Sequence, residues 1–285
     1  MVLLTMVLTK YALIESLVNP IYLKTSQFLI LGISVISITA GGYIINDIFD
    51  VETDKINKPK NVFIGRNIKL RTAIISYISL TSFGLILATY LSYIRNSLSL
   101  ISFFAFSILS LFFYSYNLKK RTLIGNILIS ILCSLPILLV YLFHSDYTTR
   151  SVGDGILLYY VVIIYAIFSF LTTFIREIIK DIEDINGDLK IKAKTLPIIM
   201  GRKRAAKIAF LFTCILFFFI LILLLSFKNK IYFVSYGLIF ILFPLIIFMF
   251  KLYLAETKER FSKLSNTMKV IMFFGILSML LFKFI

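Results

Sequence analysis

The chain has 285 residues, of which 60% are hydrophobic and 15% charged, and its mean hydropathy is +0.97. Soluble domains carry about 25% charged residues, so this composition excludes a soluble globular protein. The net charge of +16 would suit nucleic acid, but the basic residues lie in short loops between apolar runs, which indicates contact with anionic lipid and no nucleic-acid partner.

Nine apolar segments follow one another along the chain, and each approaches the roughly 20 residues that cross a bilayer. Their apolar runs are continuous rather than alternating, which predicts helices and excludes a membrane β-barrel. We therefore predict an all-α bundle of nine transmembrane helices in a single domain, 1–285, with halves at about 1–143 and 144–285. The segments are 1–19, 27–47, 72–93, 98–115, 122–143, 155–177, 205–226, 230–250 and 267–285.

Basic residues are concentrated in alternate loops, which predicts the orientation in the membrane. The rich loops are 48–71, 116–121, 176–207 and 251–269. The opposite loops hold only Lys24, Arg95, Arg150, Lys228 and Lys230. Because cytoplasmic loops carry such an excess, we predict an integral protein of the cell (inner) membrane with the rich loops in the cytoplasm. Nine crossings then place the N-terminus inside and the C-terminus outside.

Two aspartate clusters share the spacing D-x-x-D-x-x-x-D, and each ends an apolar segment beside a basic loop. The first cluster is Asp47, Asp50 and Asp54, and the second is Asp181, Asp184 and Asp188. On a helix, positions i, i+3 and i+7 share one face. Like charges gathered in this way repel unless a cation lies between them, so the spacing predicts a cation site.

Magnesium takes oxygen ligands and commonly bridges carboxylates to substrate phosphates. We predict that the six aspartates ligate Mg²⁺ on the cytoplasmic face, with a diphosphate between the two clusters. The basic loops 55–71 and 189–204 are expected to close over it. The alternative is that the aspartates only offset nearby lysines at the membrane surface. Ionisable groups at this depth are usually functional, which disfavours that alternative.

Several cations beside the clusters are candidates for binding phosphate oxygens. Arg176 and Lys180 lie one helical turn apart next to the second cluster, and Lys119 and Lys120 follow an apolar segment. Lys119 and Lys120 would equally suit a membrane anchor. All four are predicted to bind substrate.

Aromatic ring faces can stabilise an allylic cation. Tyr43, Tyr114 and Tyr116 are nearest to the clusters by position, and Tyr116 is our predicted substrate contact. His144 is the single histidine of the chain. We expect it in a solvated outer loop, which argues against a histidine general base.

At these residues the chain resembles the UbiA superfamily of intramembrane prenyltransferases, and the resemblance covers essentially the whole chain. The family's first motif, N-D-x-x-D-x-x-x-D, is matched by Asn46, Asp47, Asp50 and Asp54. The second, D-x-x-x-D, is matched by Asp184 and Asp188, preceded by Asp181. The resemblance implies nine helices, both motifs on the cytoplasmic side, and a catalytic role for Asn46 and the six aspartates.

Within that superfamily, residues 176–197 and 54–59 are similar to the branch that forms ether lipids by prenylating geranylgeranylglyceryl phosphate. The resemblance implies magnesium-dependent transfer of a prenyl group, geranylgeranyl, from its diphosphate to that lipid acceptor. The family's Arg-Pro-x-x-x-Gly after the first motif is replaced here by residues 60–65. The family's Arg-Pro lead-in before the first span is also lacking, so we expect the true start to lie upstream.

Two alternatives remain open. In the first, the enzyme prenylates a different acceptor, which is an aromatic quinone precursor of the 4-hydroxybenzoate or dihydroxynaphthoate type, or a haem or chlorin. The other alternative is a divalent-cation transporter. Its carboxylates should line a continuous pore, whereas both clusters are predicted at one face of the membrane.

Overall fold

The computed structural model describes residues 1–18, 22–57, 62–144 and 154–284, and in these ranges the chain forms helices and no β-strand. Lys58, Lys60 and Arg150, which entered the charge analysis, lie outside the described residues. The α-helices are α1 (Val2–Leu8), α2 (Glu15–Leu17), α3 (Thr25–Asn57), α4 (Leu70–Ile94), α5 (Ile101–Tyr116), α6 (Ile124–His144), α7 (Asp154–Glu183), α8 (Ile185–Lys190), α9 (Leu196–Met200), α10 (Arg202–Ser226), α11 (Ile231–Tyr236), α12 (Phe243–Tyr253) and α13 (Lys258–Leu277).

Eight helical stretches of the described residues are long and apolar enough to cross a bilayer, so the predicted count of nine is wrong by one. They are Thr25–Ile56, Leu70–Ile94, Leu98–Tyr116, Ile124–His144, Gly155–Glu183, Arg202–Ser226, Ile231–Tyr253 and Lys258–Phe284. The predicted first span, 1–19, is helical over residues 2–17. At 1.5 Å per residue it covers about 24 Å, which is less than the hydrocarbon thickness of about 30 Å.

The N-terminal stretch is nevertheless part of the bundle. A π-helical turn, Thr9–Ile14, joins α1 to α2, and Lys10 within it is 2% exposed. Its ammonium group pairs with Glu15, five residues on, and lies 4.2 Å from the centroid of the Tyr11 ring. The i to i+5 geometry of a π-helix favours that spacing. The pair therefore compensates a charge that is buried inside the bundle.

Helices α3 and α4 approach closely because Gly84 has no side chain. A Cβ atom on Gly84 would lie 2.9 Å from the carbonyl oxygen of Ser34 and 2.7 Å from Cγ1 of Ile38. The Ser34 hydroxyl donates a hydrogen bond to the Gly84 carbonyl over 2.7 Å. Small residues and such bonds drive helix association in lipid. In the most apolar stretch of α3, 56% is buried inside the bundle, against 22% for α4, so α3 is the more enclosed of the two helices.

The ends of α3 and α7 lie on the same side of the membrane, because they complete the first and fifth of the eight crossings. The first aspartate cluster lies inside α3. The second cluster is not carried by a single helix, contrary to the expectation from its spacing. The helix breaks at Asp184, whose φ and ψ are −95° and 9°, and Gly187 and Asp188 belong to α8. The chain thus turns within the cluster, which points α8 away from the axis of α7.

His144 does not lie in a solvated loop, contrary to the sequence-based expectation. It is the last residue of α6 and is 3% exposed. Its ring lies 5.9 Å from that of Tyr22, and Arg95 donates a hydrogen bond from Nη1 to the Tyr22 carbonyl over 3.2 Å. Packing at the end of the bundle opposite the aspartates buries it.

Candidate active site

A cavity of about 530 Å³ lies where α3 and α7 end, and it brings both aspartate clusters together. It is lined by Asn46, Asp47, Asp50, Thr53, Asp54, Phe63, Tyr114, Lys119, Lys120, Gly125, Asn126, Glu177, Lys180, Asp181, Asp184, Asp188, Ile191 and Ala193. All six aspartates named from the sequence are in this set. Phe63 comes from the predicted lid 55–71, while Ile191 and Ala193 come from the predicted lid 189–204.

The first cluster is held by an amide and an ammonium group. Asn46 donates a hydrogen bond from Nδ2 to Oδ2 of Asp50 over 2.8 Å. Lys119 pairs with Oδ1 of Asp50 at 2.7 Å and donates to Oδ1 of Asn46 over 3.2 Å. The Lys119 side chain is 12% exposed. Burial lowers the pKa of Lys119, and the Asp50 carboxylate opposes that shift. The cation therefore reaches into the cavity at a desolvation cost.

Backbone packing explains how Lys119 reaches α3. Residues 118–120 form a 3₁₀ turn before α6. A Cβ atom on Gly125 would lie 2.8 Å from Cα of Lys119, so glycine permits the turn to pack on the start of α6. Lys120 and Thr122 are also bonded to Lys194. The Lys194 amide N–H donates to the Lys120 carbonyl over 2.7 Å, and the Thr122 hydroxyl donates to the Lys194 carbonyl. These bonds tie the connection after α5 to the connection after α8.

The second cluster is oriented from a neighbouring helix. Asn126 of α6 donates a hydrogen bond from Nδ2 to Oδ2 of Asp181 over 2.8 Å, and Asn126 is 6% exposed. Burial raises the pKa of Asp188 to about 6, and the charges of Asp184 and Asp50 act in the same direction. Asp50 and Asp188 belong to different clusters and line the same cavity.

An ion-paired acid lies on α7, one turn before Asp181. Glu177 pairs with Nη1 of Arg176 at 2.8 Å and with Nζ of Lys180 at 3.3 Å. Glu177 and Lys180 line the cavity, whereas Arg176 is not among the lining residues. The structure therefore brings Lys119, Lys120 and Lys180 of the predicted phosphate-binding set to the cavity and places Arg176 behind Glu177.

The tyrosine that lines the cavity is not the one predicted from the sequence. Tyr116 is 57% exposed and packs against Phe49 and Phe112, with ring centroids 5.7 and 6.2 Å apart. It does not line the cavity, whereas Tyr114, two residues earlier, does. Tyr43 is 70% exposed. A helix turns by about 200° over two residues, so Tyr114 and Tyr116 point in different directions.

Sequence reasoning missed Asn126 and Glu177 as site residues. Asn126 stands alone in an apolar stretch, whereas Glu177 lies between the charged residues Arg176 and Lys180. Neither shows the repeated spacing that marks the aspartates. The available signal was the cost of placing a polar group in a membrane span, because such groups usually face the interior of the bundle.

The oxygen-rich lining fits a magnesium ion that is shared with an anionic substrate. Magnesium prefers oxygen ligands and is usually held by one or two carboxylates together with substrate phosphates. In the part of the chain that the structure describes, no three Asp, Glu, His or Cys side chains are close enough to enclose a metal by themselves. The carboxylates of both clusters line the cavity, where a substrate phosphate could complete the ligand set of the ion.

Comparison with known proteins places this site in a family. The model of the UbiA prenyltransferase family matches residues 2–276. The digeranylgeranylglyceryl phosphate synthase of Methanosphaera stadtmanae is 36% identical over 84% of this chain and 82% of its own. That of Saccharolobus solfataricus is 31% identical over 91% of this chain and 86% of its own.

Solved structures share the fold. One, from work on digeranylgeranylglyceryl phosphate synthase in membranes, is 25% identical with a TM-score of 0.68, covering 100% of this chain and 94% of the other. A UbiA homologue from Archaeoglobus fulgidus, solved with GPP and Mg²⁺, has a TM-score of 0.60 at 15% identity, covering 98% of this chain and 94% of that one.

Proposed function

The chain belongs to the UbiA prenyltransferase family, and on that premise we propose that it transfers a geranylgeranyl group from its diphosphate to geranylgeranylglyceryl phosphate, forming an ether lipid. The observation that carries the proposal is the convergence of both aspartate clusters on one cavity. The relatives that match most of the chain are synthases of this ether product, which supports the lipid acceptor over an aromatic one.

The donor is proposed to bind between the two clusters. Asp47, Asp50, Asp54, Asp181, Asp184 and Asp188 would hold Mg²⁺ there. Bound magnesium would neutralise the diphosphate and so promote cleavage of the allylic C–O bond. Asn46 donates a hydrogen bond to the Asp50 carboxylate, and Lys119 and Lys120, which line the cavity, would bind diphosphate oxygens.

The acceptor phosphate requires further positive charge. We assign it to Lys180, which lines the cavity and whose side chain is 34% exposed. Arg176 would act indirectly, through its ion pair with Glu177. Tyr114 lines the same cavity, and an aromatic face there would stabilise the allylic cation.

The site is proposed to open on the cytoplasmic face of the cell membrane. The loops that carry the excess of lysine and arginine adjoin both clusters, and the positive-inside rule assigns such loops to the cytoplasm. A water-soluble diphosphate head group would then reach the cavity from the cytosol.

A competition between acceptors tests the proposal. The purified protein is incubated with Mg²⁺, labelled geranylgeranyl diphosphate and an equimolar mixture of geranylgeranylglyceryl phosphate, 4-hydroxybenzoate and dihydroxynaphthoate. We expect the label in digeranylgeranylglyceryl phosphate. Label found in an aromatic product alone would contradict the lipid acceptor while leaving prenyl transfer intact.

A further inference from the structure

Glu177 lines the cavity, and among the described lining residues it is the one carboxylate that lies outside the two aspartate clusters. It is 7% exposed and precedes Asp181 by four positions on α7. Residues four apart share a helix face and differ by about 6 Å along the axis. Because α7 runs through the membrane toward the aspartates, Glu177 lies deeper in the bilayer than the second cluster.

That depth corresponds to the reacting carbon of the donor, an argument that rests on the proposed function. The diphosphate would lie between the clusters at the helix ends, and the prenyl tail would extend into the apolar part of the bundle. Carbon C1 is bonded to a diphosphate oxygen, so it lies immediately on the membrane side of the clusters. The hydroxyl of the acceptor must approach C1 at this level.

The ion pairs of Glu177 leave it able to accept another hydrogen bond. Arg176 donates to Oε1 over 2.8 Å, while Lys180 lies 3.5 Å from Oε1 and 3.3 Å from Oε2. An ionised carboxylate offers about four acceptor positions. Oε2 therefore retains a position for a hydroxyl, and the two cations fix the carboxylate against the wall of the cavity.

We propose that Glu177 is the general base that accepts the proton of the acceptor hydroxyl. The bond between C1 and the diphosphate oxygen breaks, and its electron pair leaves with the diphosphate. A lone pair of the hydroxyl oxygen forms the new C–O bond of the ether, and the O–H proton passes to Oε2 of Glu177. Lys180 would hold the phosphate of the same acceptor, next to the base. The step is a substitution with proton transfer and requires no oxidant or reductant.

The test separates cleavage of the donor from its capture by the acceptor. Geranylgeranyl diphosphate labelled with ¹⁸O in the bridging position is incubated with Mg²⁺, geranylgeranylglyceryl phosphate and each protein. Ether formation reports capture. Movement of ¹⁸O into non-bridging positions of the recovered donor reports reversible cleavage. Glu183→Gln is the matched control, because Glu183 ends the same helix and is not among the residues lining the cavity.

We expect Glu177→Gln to slow ether formation by about 100-fold, within the usual range for loss of a general base, while ¹⁸O movement continues at about the wild-type rate. Glu183→Gln should match the wild type in both measurements. Ether formation by Glu177→Gln within about threefold of wild type would overturn the proposal and leave the departing diphosphate as the base.

Equal loss of ether formation and ¹⁸O movement in Glu177→Gln would also overturn it, because Glu177 would then serve only to hold Arg176 and Lys180. If Glu177→Gln does not fold, Glu177→Asp carries the test. Its carboxylate is withdrawn by one methylene, so ether formation should fall while ¹⁸O movement persists, and an unchanged rate of ether formation would contradict the proposal. Failure of the proposed function has a different signature, since the wild-type protein itself would then form no ether.

Discussion

Asn126 on α6 donates a hydrogen bond from Nδ2 to Oδ2 of Asp181 on α7, over 2.8 Å. A helix that carries no aspartate of either cluster thus orients the first carboxylate of the second cluster. Asn126 is 6% exposed, and a buried amide that bonds a carboxylate restricts the orientations open to both side chains. The helices α6 and α7 therefore contribute to the site as a pair.

Replacing Asn126 with leucine removes this bond at nearly constant volume. We expect turnover to fall by about 10- to 100-fold, the usual cost of losing a residue that orients a metal-binding side chain. Ser130→Ala is the control, because Ser130 donates to the Asn126 carbonyl and does not touch the carboxylate. Steady-state rates of ether formation at saturating Mg²⁺ measure both variants. Equal rates in Asn126→Leu and wild type would show that Asp181 needs no orientation.

Asp50 of the first cluster contacts two other functional groups, the Asn46 amide and the Lys119 ammonium group. Asp50→Asn keeps the shape and removes the charge, so we expect turnover to fall by about 10²- to 10³-fold from lost electrostatic stabilisation. Glu52→Gln, an exposed acid on the same helix, should retain the wild-type rate. Near-normal turnover of folded Asp50→Asn protein would refute magnesium–diphosphate binding at this cluster.

Lys119→Met removes the cation between Asp50 and Asn46. Hydrogen bonds to charged groups contribute about 1.5–3 kcal/mol, so kcat/KM for the donor should fall by about 10- to 100-fold. Lys207→Met removes an exposed lysine outside both the cavity lining and the loop 189–204 and should leave kcat/KM unchanged. An equal decrease in both variants would indicate a general effect of surface charge rather than contact with the diphosphate.

The contact of α3 with α4 predicts the effect of a single methyl group. Gly84→Ala would place Cβ 2.9 Å from the Ser34 carbonyl oxygen, and such overpacking costs about 1–3 kcal/mol of unfolding free energy. Gly155→Ala is matched to it, because no atom lies within 4 Å of the Cβ position there. Thermal unfolding in detergent should show a lower Tm for Gly84→Ala. Equal Tm values would mean that the two helices separate without cost.

The sequence was informative where a pattern repeats. Apolar runs of membrane-spanning length predicted the helical bundle, and the doubled aspartate spacing predicted residues that do line one cavity. It was less informative at helix ends, where a shift of two positions changes the direction of a side chain, so that Tyr114 rather than Tyr116 lines the cavity. The role of Tyr116 as a substrate contact stays a prediction.

Isolated polar residues were harder to interpret, because their surroundings depend on contacts distant in the chain. His144 is buried by packing against the segment around Tyr22, although it is followed by a polar stretch. Asn126 has its partner 55 positions away. The first apolar run was predicted to span the membrane because it continues to residue 19, but its helical stretch is shorter. Lys10 and Glu15 lie within this run, where their charges compensate one another.

Formation of the ether product by the wild-type protein tests the central claim most directly. Purified protein is given geranylgeranyl diphosphate and geranylgeranylglyceryl phosphate, with Mg²⁺ or with a chelator, and the product is identified by mass spectrometry. The account predicts digeranylgeranylglyceryl phosphate and inorganic diphosphate in equal amounts with Mg²⁺, and neither with the chelator. Folded protein that yields no ether product in the presence of Mg²⁺, or an equal yield with the chelator, would contradict it.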